Sequence, residues 1–162
     1  MIDDDMQSRA ADVLALCRAR NLKIATVESC TGGLLSAALT AIAGSSDVVE
    51  RGFVTYSNEA KTQLVGVPWQ LIGFRGAVSE EVARAMAEGG LARSGAEIAV
   101  AITGIAGPGG GTPEKPVGTV VIAAAVPGKP PDVRTHRFNG DRAMIKFWSS
   151  QAAMDRVRRL LL

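Results

Sequence analysis

At 162 residues the chain is long enough to bury one sizeable hydrophobic core, and its length predicts a single domain over 1–162. It is 47% hydrophobic with a formal net charge of +2, the balance of an ordinary globular domain; that small charge, 4% aromatics and no run of five basic residues argue against a nucleic-acid partner. Two cysteines make neither a disulfide framework nor a zinc set, no stretch approaches the roughly 18 apolar residues of a membrane span, and Met-Ile-Asp-Asp-Asp lacks the pattern of a signal peptide, so no membrane partner and a cytoplasmic location are expected.

In chain order, residues 3–20 read as an amphipathic helix. Asp3, Asp4 and Asp5 cap it, Val13, Leu14, Leu16 and Cys17 form its apolar face, and Arg18 and Arg20 close its last turn. Residues 22–27 are the first strand. A polar turn leads into an Ala- and Leu-rich helix over 31–43, with Ser29 and Thr31 as candidate N-caps, and Gly44-Ser45-Ser46-Asp47 ends it. A second strand is expected within 48–56, with 53–56 its firmer part. Residues 58–65 form a short helix capped by Ser57 or Asn58 and closed by Gly66, and Pro68 opens another helical turn over 69–72. Ser79-Glu80-Glu81 starts a helix that runs to about residue 94 in spite of Gly89 and Gly90.

Residues 96–103 are a buried strand. The 104–116 stretch is too rich in Gly and Pro for a regular element, and 117–126 is a further apolar strand. After a turn at 127–131, the polar alternation of 132–138 predicts an edge strand. A helix fills 140–162, with Asp141 at its start and Arg156, Arg158 and Arg159 near its end. Apolar strands with helices between them predict an α/β fold, a three-layer α/β/α sandwich with a mixed, mostly parallel sheet and an antiparallel edge.

Three polar, glycine-associated stretches follow strand ends, 28–33, 56–61 and 103–115, where α/β sheets bind ligands. In the first, Ser29 lies where a helix N-terminus favours an anion or oxyanion, and Gly32 and Gly33 mark a close approach to the backbone. Taken alone, these residues are explained most economically as an ordinary cap with packing glycines. In the second, Tyr56 is the only tyrosine, and Lys61 follows one turn into a helix. A desolvated lysine can serve as base for a serine nucleophile. The alternative makes Tyr56 a core ring and Lys61 a solvated charge. In the third, the 104–111 run can present N–H groups to a phosphate. It matches neither a Walker loop nor a Rossmann turn, and a surface loop is its plain alternative.

His136, the only histidine, sits on the expected edge strand, which disfavours a Ser-His-Asp triad. No acids gather with His or Cys at metal spacing, so neither metal nor cofactor is expected. Arg142 follows Gly140-Asp141 at a helix start, placed either to clamp a phosphate or carboxylate or to lie exposed. Leu160-Leu161-Leu162 and the Ala-rich helices suggest a homo-oligomer, unless these leucines cover the chain's own core.

Seven segments in order carry a resemblance: V-E-S-C-T-G-G (27–33), I-A-G-S-S (42–46), R-G-F-V-T-Y-S-N-E-A-K (51–61), G-A-V-S-E-E-V (76–82), T-G-I-A-G-P-G-G-G (103–111), K-P-V-G-T-V (115–120) and F-N-G-D-R (138–142). From about residue 14 to its end the chain resembles the C-terminal domain family of the competence-damage-inducible protein CinA. The length leaves no room for the molybdopterin-binding-like domain of longer relatives, so a stand-alone form is expected. The resemblance implies an amidohydrolase that converts nicotinamide mononucleotide and water to nicotinic acid mononucleotide and ammonia, in pyridine nucleotide recycling. It casts Ser29 as nucleophile, Lys61 as general base and Tyr56 as an aid to proton transfer. N–H groups near Cys30, Thr31, Gly32 and Gly33 would stabilise the oxyanion. The 103–111 loop, with Gly104, Gly107, Gly109 and Gly110, and Arg142 would hold the ribose phosphate, with Thr103 and Thr31 as further contacts. One departure is the first glycine of P-G-G-G, where many relatives carry an acidic or polar residue. The alternatives are a non-catalytic nucleotide- or phosphate-binding module and an interaction protein linked to competence or DNA damage.

Overall fold

A computed structural model describes residues 2–162. Its elements in order are α1 (Asp4–Ala19), β1 (Ile24–Glu28), α2 (Leu34–Thr40), a 3-10 turn (Ser45–Asp47), β2 (Val49–Val54), α3 (Asn58–Val65), α4 (Trp69–Arg75), α5 (Glu80–Ser94), β3 (Ile98–Gly104), β4 (Thr119–Ala125), β5 (Asp132–Arg137) and α6 (Arg142–Leu161). The strands form one sheet in the order β2-β1-β3-β4-β5. β1 is parallel to both β2 and β3, and β4 is antiparallel to both β3 and β5, so β4 alone runs against the other strands. This is the expected α/β sandwich with a mixed sheet and an antiparallel edge.

The central strands are buried on both faces, which is why they read as continuous apolar runs. Ile98, Val100 and Ile102 of β3 join Val120 and Ile122 of β4 in the core under α1, α2 and α6. The intervening Ala101, Val121 and Ala123 join the second core, beneath α5 and the α3–α4 segment. The small side chains on that second face let α5 come close. A Cβ on Gly90 would press on Val27 Cγ2, and one on Gly89 would overlap the Val65 carbonyl oxygen. The two glycines each cost about 1 kcal/mol of helix propensity, and the close seating of α5 on β1 and α3 offsets it.

The expected caps are present at four helices: Asp3 accepts from Met6 N, Ser57 from Ala60 N, Ser79 from Val82 N and Asp141 from Met144 N. α4 runs on to Arg75 past the expected 72, and α2 stops at Thr40 short of 43; two further differences bear on the site. α2 begins at Leu34 behind Gly33, whose φ of 111° no capping side chain shares, so neither Ser29 nor Thr31 is its N-cap. β2 ends at Val54, which places Thr55 and Tyr56 beyond the strand expected over 53–56. In both places chain geometry near one cavity overrides local propensity. At the C-terminus Leu161 is buried in the first core while Leu162 is exposed. Among the described residues, no helix is long and apolar enough to cross a membrane.

Candidate active site

The parallel strands β1, β2 and β3 deliver their carboxyl ends to one rim, the position where ligands bind in such sheets. β1 closes with Glu28, which is 1% exposed. Its carboxylate accepts from Thr31 Oγ1 (2.7 Å), Leu35 N (2.9 Å) and Ser36 N (3.0 Å). Glu28 therefore performs the capping expected of the 29–31 hydroxyls, reaching forward from the strand to satisfy the first free N–H groups of α2. That bond set fixes the turn between them. Ser29 N donates to Ile102 O (3.0 Å) and Gly32 N to Ser29 O (3.0 Å), which turns the Ser29 hydroxyl toward the β2 side of the rim.

There it meets Lys61 of α3. Lys61 is the largest fully buried side chain among the described residues, 1% exposed. Its Nζ lies 3.0 Å from Ser29 Oγ, 3.0 Å from Thr55 O and 3.3 Å from Tyr56 O. No carboxylate of the described residues pairs with it. Burial disfavours the ammonium and pulls the pKa below the usual lysine value. Nζ donates to Ser29 Oγ and to both carbonyls, and Ser29 Oγ donates to Tyr56 O (3.5 Å). Loss of one ammonium proton would free a lone pair facing the Ser29 hydroxyl. Thr55 N in turn donates to Glu28 O (2.8 Å), which fixes the carbonyls of the 55–56 segment beside β1.

Tyr56 enters this arrangement differently from the sequence expectation. Its main chain receives Lys61, but its phenol is bonded to Arg142 Nη2 (3.0 Å), and the ring is 59% exposed. Arg142 Nη1 donates to Gly107 O (2.8 Å), so one guanidinium ties the turn after β2 to the glycine loop after β3. Thr103 Oγ1 donates to Ala77 O (2.8 Å), joining the end of β3 to the segment before α5. Gly104 is required where it stands: an added Cβ would lie 3.0 Å from Cys30 Sγ and 2.8 Å from Val120 Cγ2. The Cys30 thiol is buried, and burial pushes it up to about 11.

The cavity so formed has a volume of about 280 Å³. Ser29, Cys30, Tyr56, Lys61, Thr103 and Arg142 all line it, together with Gly104, Gly107, Gly109 and Gly110. Thr31, Gly32 and Gly33 do not: Thr31 is committed to Glu28, and the two glycines shape the descent into α2. Asn58, expected only as a possible helix cap, also lines the cavity, as do Ala77, Val78, Ile105 and Ala106, which the sequence did not mark as site residues. Glu28 was also missed, and its signal was legible: an acid at the end of an otherwise apolar strand just before a helix start. His136 is outside the cavity, stacked on Phe138 with ring centroids 5.3 Å apart. Among the described residues no His, Cys, Asp and Glu are grouped to hold a metal ion.

Fold and site together define an α/β domain with a buried serine–lysine pair at the carboxyl ends of its parallel strands. Comparison with known proteins places it further. The family model of the CinA C-terminal domain matches residues 6–161, and the chain belongs to that family. A CinA-like protein of Gemmatimonas aurantiaca is 54% identical over 159 residues, which are 97% of this chain and 36% of the relative. A CinA-like protein of Citrifermentans bemidjiense is 50% identical over 98% of this chain and 37% of its own length. The chain thus spans little more than a third of these curated relatives. Among solved structures, the competence/damage inducible protein CihA from Agrobacterium tumefaciens is 42% identical, with a TM-score of 0.97 over 100% of this chain and 99% of that one. A competence-damaged protein (CinA) superfamily protein from Klebsiella pneumoniae is 36% identical, with a TM-score of 0.92 over 96% of this chain and 97% of that one.

Proposed function

We propose that the domain is an amidohydrolase that removes ammonia from the carboxamide of nicotinamide mononucleotide. One observation carries the hydrolytic part of the reading: a buried lysine without a counterion, 3.0 Å from a serine hydroxyl in a cavity at the strand ends. The substrate follows from the family resemblance and is compatible with a glycine loop and an arginine on the same cavity.

In this reading the neutral Lys61 amine takes the Ser29 hydroxyl proton as Oγ attacks the carboxamide carbon. The tetrahedral oxyanion forms beside the 29–33 turn. In that turn the N–H groups of Ser29 and Gly32 are bound to Ile102 O and Ser29 O, so Cys30 is the lining residue left to donate. The Lys61 ammonium returns the proton to the leaving nitrogen, and ammonia departs from an ester on Ser29. Water then attacks that ester, giving one proton to Lys61, and the carboxylic acid product leaves as Ser29 recovers its hydroxyl hydrogen. Thr55 O and Tyr56 O hold the amine in place through both half-reactions. Tyr56 is assigned to positioning Arg142 rather than to moving the proton.

The test is ammonia release from nicotinamide mononucleotide by the wild type and by Ser29→Ala and Lys61→Met. Each variant is expected to lose at least about 100-fold in turnover, the usual scale for a nucleophile or general base. Wild-type rates in both would sink the mechanism, and no release by the wild type would sink the activity.

A further inference from the structure

An oxyanion formed beside Ser29 needs donors aimed at it, and the backbone of the Ser29 turn supplies few. Ser29 N is bound to Ile102 O, Gly32 N to Ser29 O and Leu34 N to Thr31 O, which leaves the N–H of Cys30 on the cavity wall. Across the cavity, Ile105 N is spent on Thr119 O and the Thr103 hydroxyl on Ala77 O. Arg142 is turned to Gly107 O and Tyr56 OH, and Lys61 is bonded to Ser29. Of the side chains with nitrogen or oxygen that line the cavity, Asn58 alone has no hydrogen-bond partner among the described residues. Asn58 opens α3 directly after Ser57, whose hydroxyl caps the helix through Ala60 N, so the Asn58 side chain is not needed for the cap. It lies three residues before Lys61 and so on the same helix face. Side chains on a helix lean toward its N-terminus, so the Lys61 stem runs back along the turn that Asn58 begins. This brings the Asn58 amide to the flank of the Ser29–Lys61 pair.

We propose that Asn58 is a catalytic residue whose side-chain N–H₂ donates to the tetrahedral oxyanion, together with the N–H of Cys30. The inference rests on the amidohydrolase reading for its reaction. A neutral amide suits the task, because it donates without bringing a charge that would disturb the lysine beside it. An aspartate of the same shape would set a carboxylate against the developing charge and favour the Lys61 ammonium. The Asn58 side chain is exposed at the cavity edge, so it can exchange water for a substrate oxygen. That oxygen is a neutral acceptor in the bound carboxamide and an anion in the tetrahedral state, and a hydrogen bond to an ion is roughly twice as strong. Asn58 therefore acts on turnover more than on binding.

The experiment compares wild type, Asn58→Ala and Asn58→Asp in ammonia release from nicotinamide mononucleotide, with Tm as the check on folding. Both variants are expected to lose about 100-fold or more in kcat, the usual scale for one oxyanion donor, with KM within about twofold. Asn58→Asp puts an acid in the first turn of α3, where the helix dipole favours it, so its Tm should hold and lost turnover is not lost folding. A second measurement needs no turnover. A pyridinyl boronic acid, with boron at the ring position of the carboxamide, is titrated onto each protein and followed by boron NMR. Ser29 Oγ adds to the trigonal boron, the hydroxyl proton passes to Lys61, and the tetrahedral adduct carries its negative charge where the oxyanion would form. The adduct is expected in the wild type, at least about tenfold weaker in Asn58→Ala and absent in Ser29→Ala. Wild-type kcat in Asn58→Ala, a loss confined to KM, or equal boronate affinity in these two proteins, none in both included, would overturn the role of Asn58 while leaving the amidohydrolase standing. Asn58-dependent boronate binding in a protein that releases no ammonia would uphold Asn58 and overturn the substrate reading.

Discussion

Lys61 and Ser29 are 32 residues apart in sequence, and their side chains meet at 3.0 Å with no acid between them and solvent to share the lysine's charge. Burial disfavours the lysine's ammonium, and its other partners are carbonyl oxygens. This arrangement sets a direction for pH dependence. Burial lowers the Lys61 pKa in the folded protein below the ordinary 10.5. In the proposed mechanism Lys61 acts deprotonated, so kcat/KM should rise with pH through the lowered pKa and level off before 10.5 is reached. Stability changes in the same sense. The unfolded chain holds its lysine proton up to 10.5 and the folded one releases it earlier, so between the two values the unfolded state binds more protons and stability rises with pH. Denaturant midpoints for wild type and Lys61→Met, measured across that window, should show the wild type gaining on the variant as pH increases. A gap that does not vary with pH would mean the lysine titrates normally.

Tyr56 offers a separation of main-chain and side-chain roles. Tyr56→Phe keeps the carbonyl that accepts from Lys61 and removes only the hydroxyl bonded to Arg142. The expected result is a several-fold rise in KM, from one lost hydrogen bond of about 1 kcal/mol, with the pH profile unmoved. A fall in kcat of about 100-fold or more would identify the phenol as a proton carrier instead.

Both cysteines are buried, and burial pushes each thiol up to about 11. The thiolate is the reactive form, so neither should react with iodoacetamide in the native protein at pH 8, and both should react once the chain is unfolded. Cys30 lines the same cavity as Ser29. Rapid native alkylation of Cys30 would show that the cavity stabilises anions more strongly than its burial suggests.

Glu28→Gln removes the charge from a carboxylate that accepts three hydrogen bonds and points an amide N–H₂ at donors. Stability is expected to fall by about 2 kcal/mol, lowering Tm by roughly 4–8 °C for a domain of this size. Turnover should fall as well, because the turn carrying Ser29 hangs from this carboxylate. An unchanged Tm would mean that water can take over the cap.

Much of the architecture was legible in the sequence because its signals are local. Ser57 and Gly66 bracket α3 at the expected residues, and Asp141 starts α6 as its spacing requires. What failed to show was set by distant partners. Ser29 has the chemistry of an N-cap, yet the cap comes from Glu28, a residue that propensity alone assigns to a strand. Gly89 and Gly90 read as helix-weakening, and only the position of Val65 and Val27 explains them. Lys61 reads as a surface charge from its helix. Its burial depends on the path of the 55–56 backbone, which no periodicity encodes. The same holds for the Tyr56 phenol, whose partner lies 86 residues away.

The two carbonyls that keep Lys61 in place belong to the backbone of Thr55 and Tyr56, and this has a consequence for mutation and drift. Both acceptors are main-chain atoms, so the identity of the side chains at 55 and 56 does not itself supply them. What the arrangement cannot absorb is a change in the course of the backbone itself. A proline at 55 would delete the N–H that Glu28 O anchors, and an insertion between β2 and α3 would swing the carbonyls off the amine. The seat of the Lys61 amine thus depends on backbone course and loop length between β2 and α3.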